Sequence, residues 1–244
     1  MNTSHSDYPF DLGTHCPAFV VTNDEAAAWF ATGLSWLYGF NHEEAIGCFR
    51  HAARADDGFA LAWWGIAISS GPFMNKPWEW LTMLEKEQAL AACHGAIAEA
   101  MSRTAYADAM IPVYEAYGDD PDIAALYIDS QIMLTPWQIY DVDKCAPNPE
   151  AREREIQAAL ERSLAGTGAD HIGVLHFDIH VQEMSPTPEK ALPSARRLQE
   201  LAPPDAGHLQ HMPSHIHALV GDFDEATRCS RLSMATDKRF MANL

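Results

Sequence analysis

Apolar residues recur along most of this chain at the three- and four-residue spacings of helices that bury one face. The pattern begins near residue 23, where Asn23 or Asp24 can cap a first helix. Residues 1–21 carry Pro9 and Pro17 and predict an irregular lead-in. The periodicity therefore predicts an all-α protein of roughly ten to twelve helices with essentially no sheet.

Two proline-rich connectors interrupt the helical pattern. Residues 71–80 read GPFMNKPWEW and carry Trp78, and residues 135–149 read TPWQIYDVDKCAPNP and carry Trp137. Aromatic side chains on long loops are candidates for ligand contact, so Trp78 and Trp137 become candidate walls of a substrate pocket. The alternative is that both tryptophans only seal the core. A further break is expected at Pro213, inside the helical span 208–220.

Charge and cysteine usage limit the classes of partner. The formal net charge is −18, which disfavours binding to nucleic-acid phosphates or to anionic membranes. The five cysteines are scattered and never form a CxxC pair, which is typical of reduced thiols in the cytoplasm. The first residues lack the basic and apolar regions typical of a signal peptide, so none is predicted, and no apolar run reaches the length that a membrane-spanning helix needs.

The candidate chemistry lies between residues 171 and 217, a stretch that holds seven of the twelve histidines. Each residue of a helix advances about 100° around its axis, so side chains three, four and seven apart share a face. Two separate helices each present such a face. The six candidate metal ligands are His176, His180 and Glu183 on the first helix and His208, His211 and His215 on the second.

A lone buried histidine is more often a hydrogen-bonded core residue than a ligand, but six ligands on two faces favour a transition-metal site. His217 lies on the opposite helix face from His215 and is expected to be a core residue. His171 also lies off the ligand face, and His42 follows a hairpin turn. Imidazoles without nearby thiolates suit zinc, copper or iron. Phe177 occupies the position of the catalytic glutamate in the HExxH motif, which argues against a zinc-protease mechanism.

Residues near the start of the chain carry the signature of a repeat family. The signature of that family is W-x2-L-G-x2-Y…A-x3-F. The residues of this chain that stand at its spacings are Trp29, Gly33, Trp36, Ala45, Phe49 and Ala52. One aliphatic and one aromatic position of the signature carry a different residue here. The chain thus resembles the tetratricopeptide repeat superfamily. The resemblance implies one helical domain over residues 1–244, built as an α-solenoid of antiparallel helix hairpins.

The chain is also similar to a group of bacterial tetratricopeptide proteins that share an H-x3-H-x2-E helix and a GHLxHMPSHI segment. The corresponding blocks here are FNHEEAIGCF, AWWGIA, NKPW, HFDIHVQE, ALPSARRL and GHLQHMPSHI. This resemblance implies a fold and a site but no reaction. Members of the group commonly continue through a second set of repeats, so residues 1–244 are interpreted as the N-terminal half of a longer solenoid.

An internal repeat relates the two ends of the chain. Residues 41–60 and 222–241 align without gaps at an offset of 181 residues, with identities that include Ala45 with Ala226 and Cys48 with Cys229. The first copy is followed by another helical segment, whereas the second ends at residue 244. The uncovered helix of the second copy predicts a sticky surface through which two copies of the chain associate.

These observations support two functional hypotheses. In the first, the protein is a metal-dependent enzyme, hydrolytic or oxidative, that acts on a small molecule or peptide in the solenoid groove. Glu183 is then a ligand or general base, and His208 a ligand or proton carrier. In the second, it is a tetratricopeptide interaction module with a structural metal or none. Metal sensing or storage would use the same ligands without an open coordination position.

Overall fold

The computed structural model describes residues 5–13, 23–56, 59–71, 73–77, 80–92 and 103–242. Within these ranges the protein is mostly helical with almost no strand, which confirms the all-α prediction. None of the helices in the described ranges has the length and apolar character needed to cross a membrane. The helices are α1 (Asp24–Tyr38), α2 (His42–Ala55), α3 (Ala60–Ser70), α4 (Met83–Ala92), α5 (Arg103–Tyr117), α6 (Pro121–Ile132), α7 (Glu153–Leu164), α8 (Ile172–Glu183), α9 (Leu192–Leu201), α10 (Gly207–His211), α11 (Pro213–Leu219) and α12 (Phe223–Ala242).

The connector that carries Trp137 contains a small sheet that the helical periodicity did not predict. Strands β1 (Tyr140–Asp141) and β2 (Ala146–Pro147) pair antiparallel. Two-residue strands are too short to leave a periodic signal in the sequence. Trp78, in the other connector, lies outside the described residues.

Side-chain caps fix the start of the N-terminal helices. The Asn23 side chain accepts a hydrogen bond from the backbone N–H of Ala26 at 3.0 Å, which confirms its predicted capping role. Asn41 caps α2 in the same way through the N–H of Glu44. Each cap satisfies a backbone donor that has no partner inside its own helix.

Helices α1, α2 and α3 pack together around the ring of Phe49, which is fully buried. A Cβ atom built on Gly33 of α1 would lie 2.6 Å from Phe49 Cε1, and one built on Gly65 of α3 would lie 2.6 Å from Phe49 Cγ. Both glycines are therefore required for the ring to fit between the three helices. Ala45 and Ala52, also buried on α2, keep the helices close.

Proline divides the second histidine-rich segment into two helices, as expected. Helix α10 ends at His211, and α11 begins at Pro213 with Met212 as the residue between them. The proline ring cannot continue the preceding helix because it lacks the N–H donor and crowds the previous turn. His208 and His211 therefore lie on α10, and His215 lies on α11.

Helix α8 lies at the centre of the fold. It contacts α1, α6, α7, α9 and α11, and eleven of its twelve residues are buried. A helix that is enclosed on all sides must satisfy its polar side chains within the protein. The histidines, the aspartate and the glutamine of α8 consequently need partners on neighbouring elements, and these partners define the candidate site.

Candidate metal centre

The N-terminus of α8 is held by a buried polar network. The His171 ring caps the helix, with Nδ1 accepting a hydrogen bond of 3.2 Å from the N–H of Val174. Nε2 of the same ring lies 3.1 Å from Asp122 Oδ1, which also accepts a 2.6 Å hydrogen bond from the Tyr38 hydroxyl. Since Nδ1 accepts, Nε2 carries the ring proton. His171 thus orients α8 and lies apart from the ligand cluster, consistent with its predicted position off the face.

One and two turns further along α8, two imidazoles meet a third from α10. Nε2 of His176 lies 3.1 Å from Nε2 of His208. His176, His180 and His208 each offer one nitrogen to a group whose members all lie within 4.8 Å of one another. His176 and His180 are buried and His208 is partly buried. The three side chains, called here the histidine triad, form the centre of the site.

The protonation of His180 is set by its neighbour one turn along the helix. Nδ1 of His180 donates to Glu183 Oε1 at 2.8 Å, so Nε2 is the nitrogen with the free lone pair. Among the described residues, that buried Nε2 has no hydrogen-bond partner. An unpaired buried acceptor that faces two other imidazoles is the strongest indication of a bound cation in this structure.

The remaining predicted ligands form a chain that leads away from the triad. The second oxygen of Glu183 accepts a hydrogen bond from Nδ1 of His215. Nε2 of His215 in turn lies 3.0 Å from Nε2 of His211. The structure therefore brings all six predicted residues into one contiguous cluster, with the triad at one end and Glu183, His215 and His211 beside it.

Electrostatics keep the triad neutral near pH 7. Burial, aided by the neighbouring imidazoles, lowers the pKa of His176 well below its ordinary value and lowers the pKa of His208 to about 3. Burial also lowers the pKa of His180 despite the adjacent carboxylate. Although burial raises the pKa of Glu183, hydrogen bonds from His180 and His215 hold it at about 2. Neutral imidazoles beside an ionised carboxylate are the state in which histidine binds metal ions.

Two aromatic rings enclose the triad. Phe40, in the turn between α1 and α2, contacts all three imidazoles and stacks on His180 at 5.6 Å between ring centroids. Trp137 meets His180 edge-on at 5.5 Å and is 39 % exposed, so it marks the side of the site that solvent reaches. Both residues have positive backbone φ angles, 56° for Phe40 and 59° for Trp137. Strained backbone at bulky residues is concentrated at functional sites.

Phe40 was not among the predicted site residues. Phe40 contacts α8 and α10, and both helices lie more than 130 residues after it in the sequence. No local sequence pattern predicts contacts over that separation. The one available sign was the turn itself, where Gly39-Phe40-Asn41 must reverse the chain between two helices.

The donor set and its spacing fit one transition-metal ion. Nitrogens bound at about 2.1 Å in a tetrahedral site stand about 3.4 Å apart, so the triad needs only small ring rotations to converge on an ion. Three protein ligands leave at least one coordination position for water or substrate. The Glu183 carboxylate behind His180 supplies the outer hydrogen bond that metal-binding histidines usually make.

Two other histidines occupy the structural positions expected of them. His217 is 2 % exposed, with Nε2 at 3.1 Å from Gln199 Oε1, and so is a core residue. His42 is the first residue of α2, stacks on Phe73 at 4.0 Å between ring centroids, and contacts the Ser69 carbonyl through Nδ1. Neither ring joins the cluster.

Comparison of the chain with known protein families finds no match, and no curated protein matches its sequence. The functional interpretation accordingly depends on the geometry of the site.

Proposed function

We propose that this protein is a metal-dependent enzyme, hydrolytic or oxidative, that acts on a small molecule or peptide. The unpaired, buried Nε2 of His180, directed toward two further imidazoles, is the observation that carries the proposal. A structural metal site closes its coordination sphere with four protein ligands, whereas three ligands leave an open position for chemistry. The metal is zinc, copper or iron, according to the imidazole donor set.

Each cluster residue receives a role from its contacts. His176, His180 and His208 are the metal ligands. Glu183 orients His180, because both of its oxygens accept hydrogen bonds from imidazoles. A bound ion would activate water or dioxygen at its open position. Trp137 forms the solvent-side wall against which a substrate binds.

His211 and His215 complete the six-residue site on the more exposed side, where both rings are only partly buried. Their Nε2 atoms face one another at 3.0 Å. This pair extends the site and supplies further nitrogen donors next to the triad.

The helical framework is proposed to be a tetratricopeptide-like α-solenoid. Support comes from the α1–α2–α3 packing, where Gly33 and Phe49 occupy the small and aromatic positions of the repeat signature and contact one another. A cytoplasmic location is proposed because the cysteines are scattered and unpaired in the sequence. In keeping with this proposal, Cys48, Cys145 and Cys229 are free thiols in the structure.

Elemental analysis of protein purified without a histidine tag or chelating resin tests the proposal. Wild-type protein is expected to carry a transition metal at one equivalent or more per chain, and His180→Ala to carry none. His217→Ala is the matched control and should retain the metal, because His217 is buried outside the cluster. Folded wild-type protein that binds no transition metal, or full occupancy in His180→Ala, would overturn the proposal.

One observation favours the second candidate function, an interaction module. Apolar side chains are strongly exposed on α11 and α12, including Phe223 at 67 % and Met241 at 68 %. Exposed apolar clusters of this kind mark protein-binding surfaces. The proposed partner is a second copy of the chain, and this association is compatible with the enzymatic function.

A further inference from the structure

A cavity lies on the opposite side of α8 from the histidine triad. It has a volume of about 430 Å³ and is bounded by α7, α8, α9 and the turns that precede α8 and α9. Asp178 and Gln182 of α8 line it, and they project about 200° away from His176 and His180 around the helix axis. The volume falls within the range of small-molecule sites.

The cavity has a buried carboxylate at its inner end. Asp178 is 3 % exposed and accepts a 2.5 Å hydrogen bond from the Ser194 hydroxyl. The Gln182 amide contacts its other oxygen at 3.5 Å. In the part of the chain that the structure describes, no cationic side chain pairs with Asp178. Burial without a cation raises the pKa of Asp178, and a ligand ammonium group would stabilise its ionised form.

Gln182 adds an unpaired acceptor beside that carboxylate. Its Nε2 donates to Gln157 Oε1 at 2.9 Å and faces Asp178, and both partners are acceptors. The amide nitrogen must therefore be the atom that faces these two acceptors, so Oε1 is the amide atom left without a partner. Gln182 is 5 % exposed, and its buried Oε1 has no partner among the described residues. The inner end thus offers two acceptors to a ligand that carries N–H donors.

The more exposed part of the lining carries both signs of charge, with Glu161 acidic and Lys190 and Arg197 basic. Lys190 is exposed and makes no ion pair within the described residues. Arg197 is already paired with Asp170 and Glu200. Lys190 is therefore the cation available to a ligand carboxylate. The apolar part of the lining is formed mainly by Leu160, Leu164 and Leu175.

We propose that this cavity binds a small zwitterion, namely an α-amino acid or short peptide with an apolar side chain. Its ammonium group donates to Asp178 and Gln182, its carboxylate faces Lys190, and its apolar side chain contacts the leucines. The site is separate from the metal centre, and its occupancy does not require a metal. This inference therefore stands independently of the proposed enzymatic function.

Isothermal titration calorimetry with L-leucine and with leucyl-leucine tests the proposal. Comparison of the two probes shows whether the cavity binds a free amino acid or a short peptide. Free amino acids chelate metal ions, so the titrations use chelator-treated full-length protein and, in parallel, His180→Ala. Saturable binding of at least one probe is expected in both samples. Leucinamide lacks the carboxylate and 4-methylpentanoate lacks the ammonium, so each should bind leucine's site about tenfold more weakly or worse.

Two variants locate the bound probe. Asp178→Asn keeps the shape of the side chain but removes its charge, and it should weaken binding at least about tenfold. Lys190→Met changes an exposed side chain, and it should weaken binding about three- to tenfold. Glu189→Gln is the matched control, because Glu189 is exposed next to Lys190 and does not line the cavity.

Several results would overturn the proposal. One such result is that neither probe binds folded wild-type protein. A second is that Lys190→Met binds leucine as tightly as wild type does, and a third is that 4-methylpentanoate binds as tightly as leucine. Binding that disappears in His180→Ala but survives in Lys190→Met would assign the probe to the metal centre instead. A protein that binds no metal but binds leucine would contradict the proposed function and leave this inference intact.

Discussion

Nδ1 of His180 and Oε1 of Glu183 lie 2.8 Å apart, one turn from each other on a helix that is otherwise enclosed by protein. The contact fixes the proton on Nδ1 and leaves Nε2 free to bind an ion. A second imidazole, that of His215, donates to the other oxygen of the same carboxylate. Each oxygen of the carboxylate therefore accepts a hydrogen bond from a different imidazole, so Glu183 orients both rings.

Glu183→Gln should lower metal affinity about 10- to 100-fold without removing the metal ligands. The amide oxygen can accept from one imidazole only, and the amide nitrogen faces the other N–H donor without bonding to it. Competition with a chromophoric chelator measures the affinity. Glu200→Gln, exposed on α9, is the control, and equal affinities for Glu183→Gln and wild type would show that the carboxylate does not orient a ligand.

Gly33→Ala should destabilise the protein by about 1–3 kcal/mol, because the added methyl group overlaps the Phe49 ring. The matched control is Gly47→Ala on α2, where a Cβ meets nothing within 4 Å and where alanine should stabilise the helix by about 0.5–1 kcal/mol. Urea unfolding gives both values. In a Phe49→Leu background the cost of Gly33→Ala should shrink, and an unchanged cost would show that the ring is not the obstacle.

His171→Ala should destabilise the protein by about 1–3 kcal/mol, since it removes the cap of α8 and leaves Asp122 with one partner fewer. His171→Asn restores a capping acceptor but not the contact with Asp122, so its free energy of unfolding should fall between those of His171→Ala and wild type. Chemical denaturation of the metal-free proteins provides the comparison. Equal stability of all three proteins would contradict the capping role.

His42 should make the metal-free protein less stable in mild acid. Burial lowers the pKa of His42 to about 4, whereas an unfolded chain has a histidine pKa of about 6.5. The unfolded state therefore binds more protons between these values, so the stability present above pH 6.5 is lost as pH falls toward 4. Between pH 7 and 5 the loss from this residue is about 1–2 kcal/mol.

His42→Asn tests that pH dependence. Asparagine retains a donor for the Ser69 carbonyl but does not titrate, so the variant should lose less stability than wild type between pH 7 and 5. The other buried histidines titrate equally in both proteins and cancel in the difference. Parallel pH profiles for the two proteins would show that His42 does not contribute.

Self-association is expected through α12. Replacing Phe223 and Met241 together by serine should weaken it, because both side chains are mostly exposed on that helix. Met83→Ser is the control, since Met83 is 71 % exposed on α4. Sedimentation velocity over a concentration series measures the change. A wild-type protein that is monomeric throughout would contradict this use of the surface.

The sequence predicted the parts of this molecule that depend on local rules. The Asn23 cap, the break at Pro213 and the shared face of His176 and His180 each follow from spacings of a few residues. The division of the six predicted ligands into a triad and a neighbouring hydrogen-bonded series could not be predicted from the sequence. It depends on how α10 and α11 pack against α8 on either side of the break. Phe40 was missed for the same reason, since its contacts arise only when distant helices pack.

The positive φ angles of Phe40 and Trp137 have a consequence for protein engineering. Each left-handed backbone position costs about 1–2 kcal/mol for a residue with a Cβ, and glycine or asparagine at either position would relieve it. The packing lost with the Phe40 ring would exceed that gain, so selection for thermal resistance alone would favour replacement at the more exposed Trp137. Variants that gain melting temperature at that position should lose the enclosure around the imidazoles, so robustness and site integrity are in direct competition there.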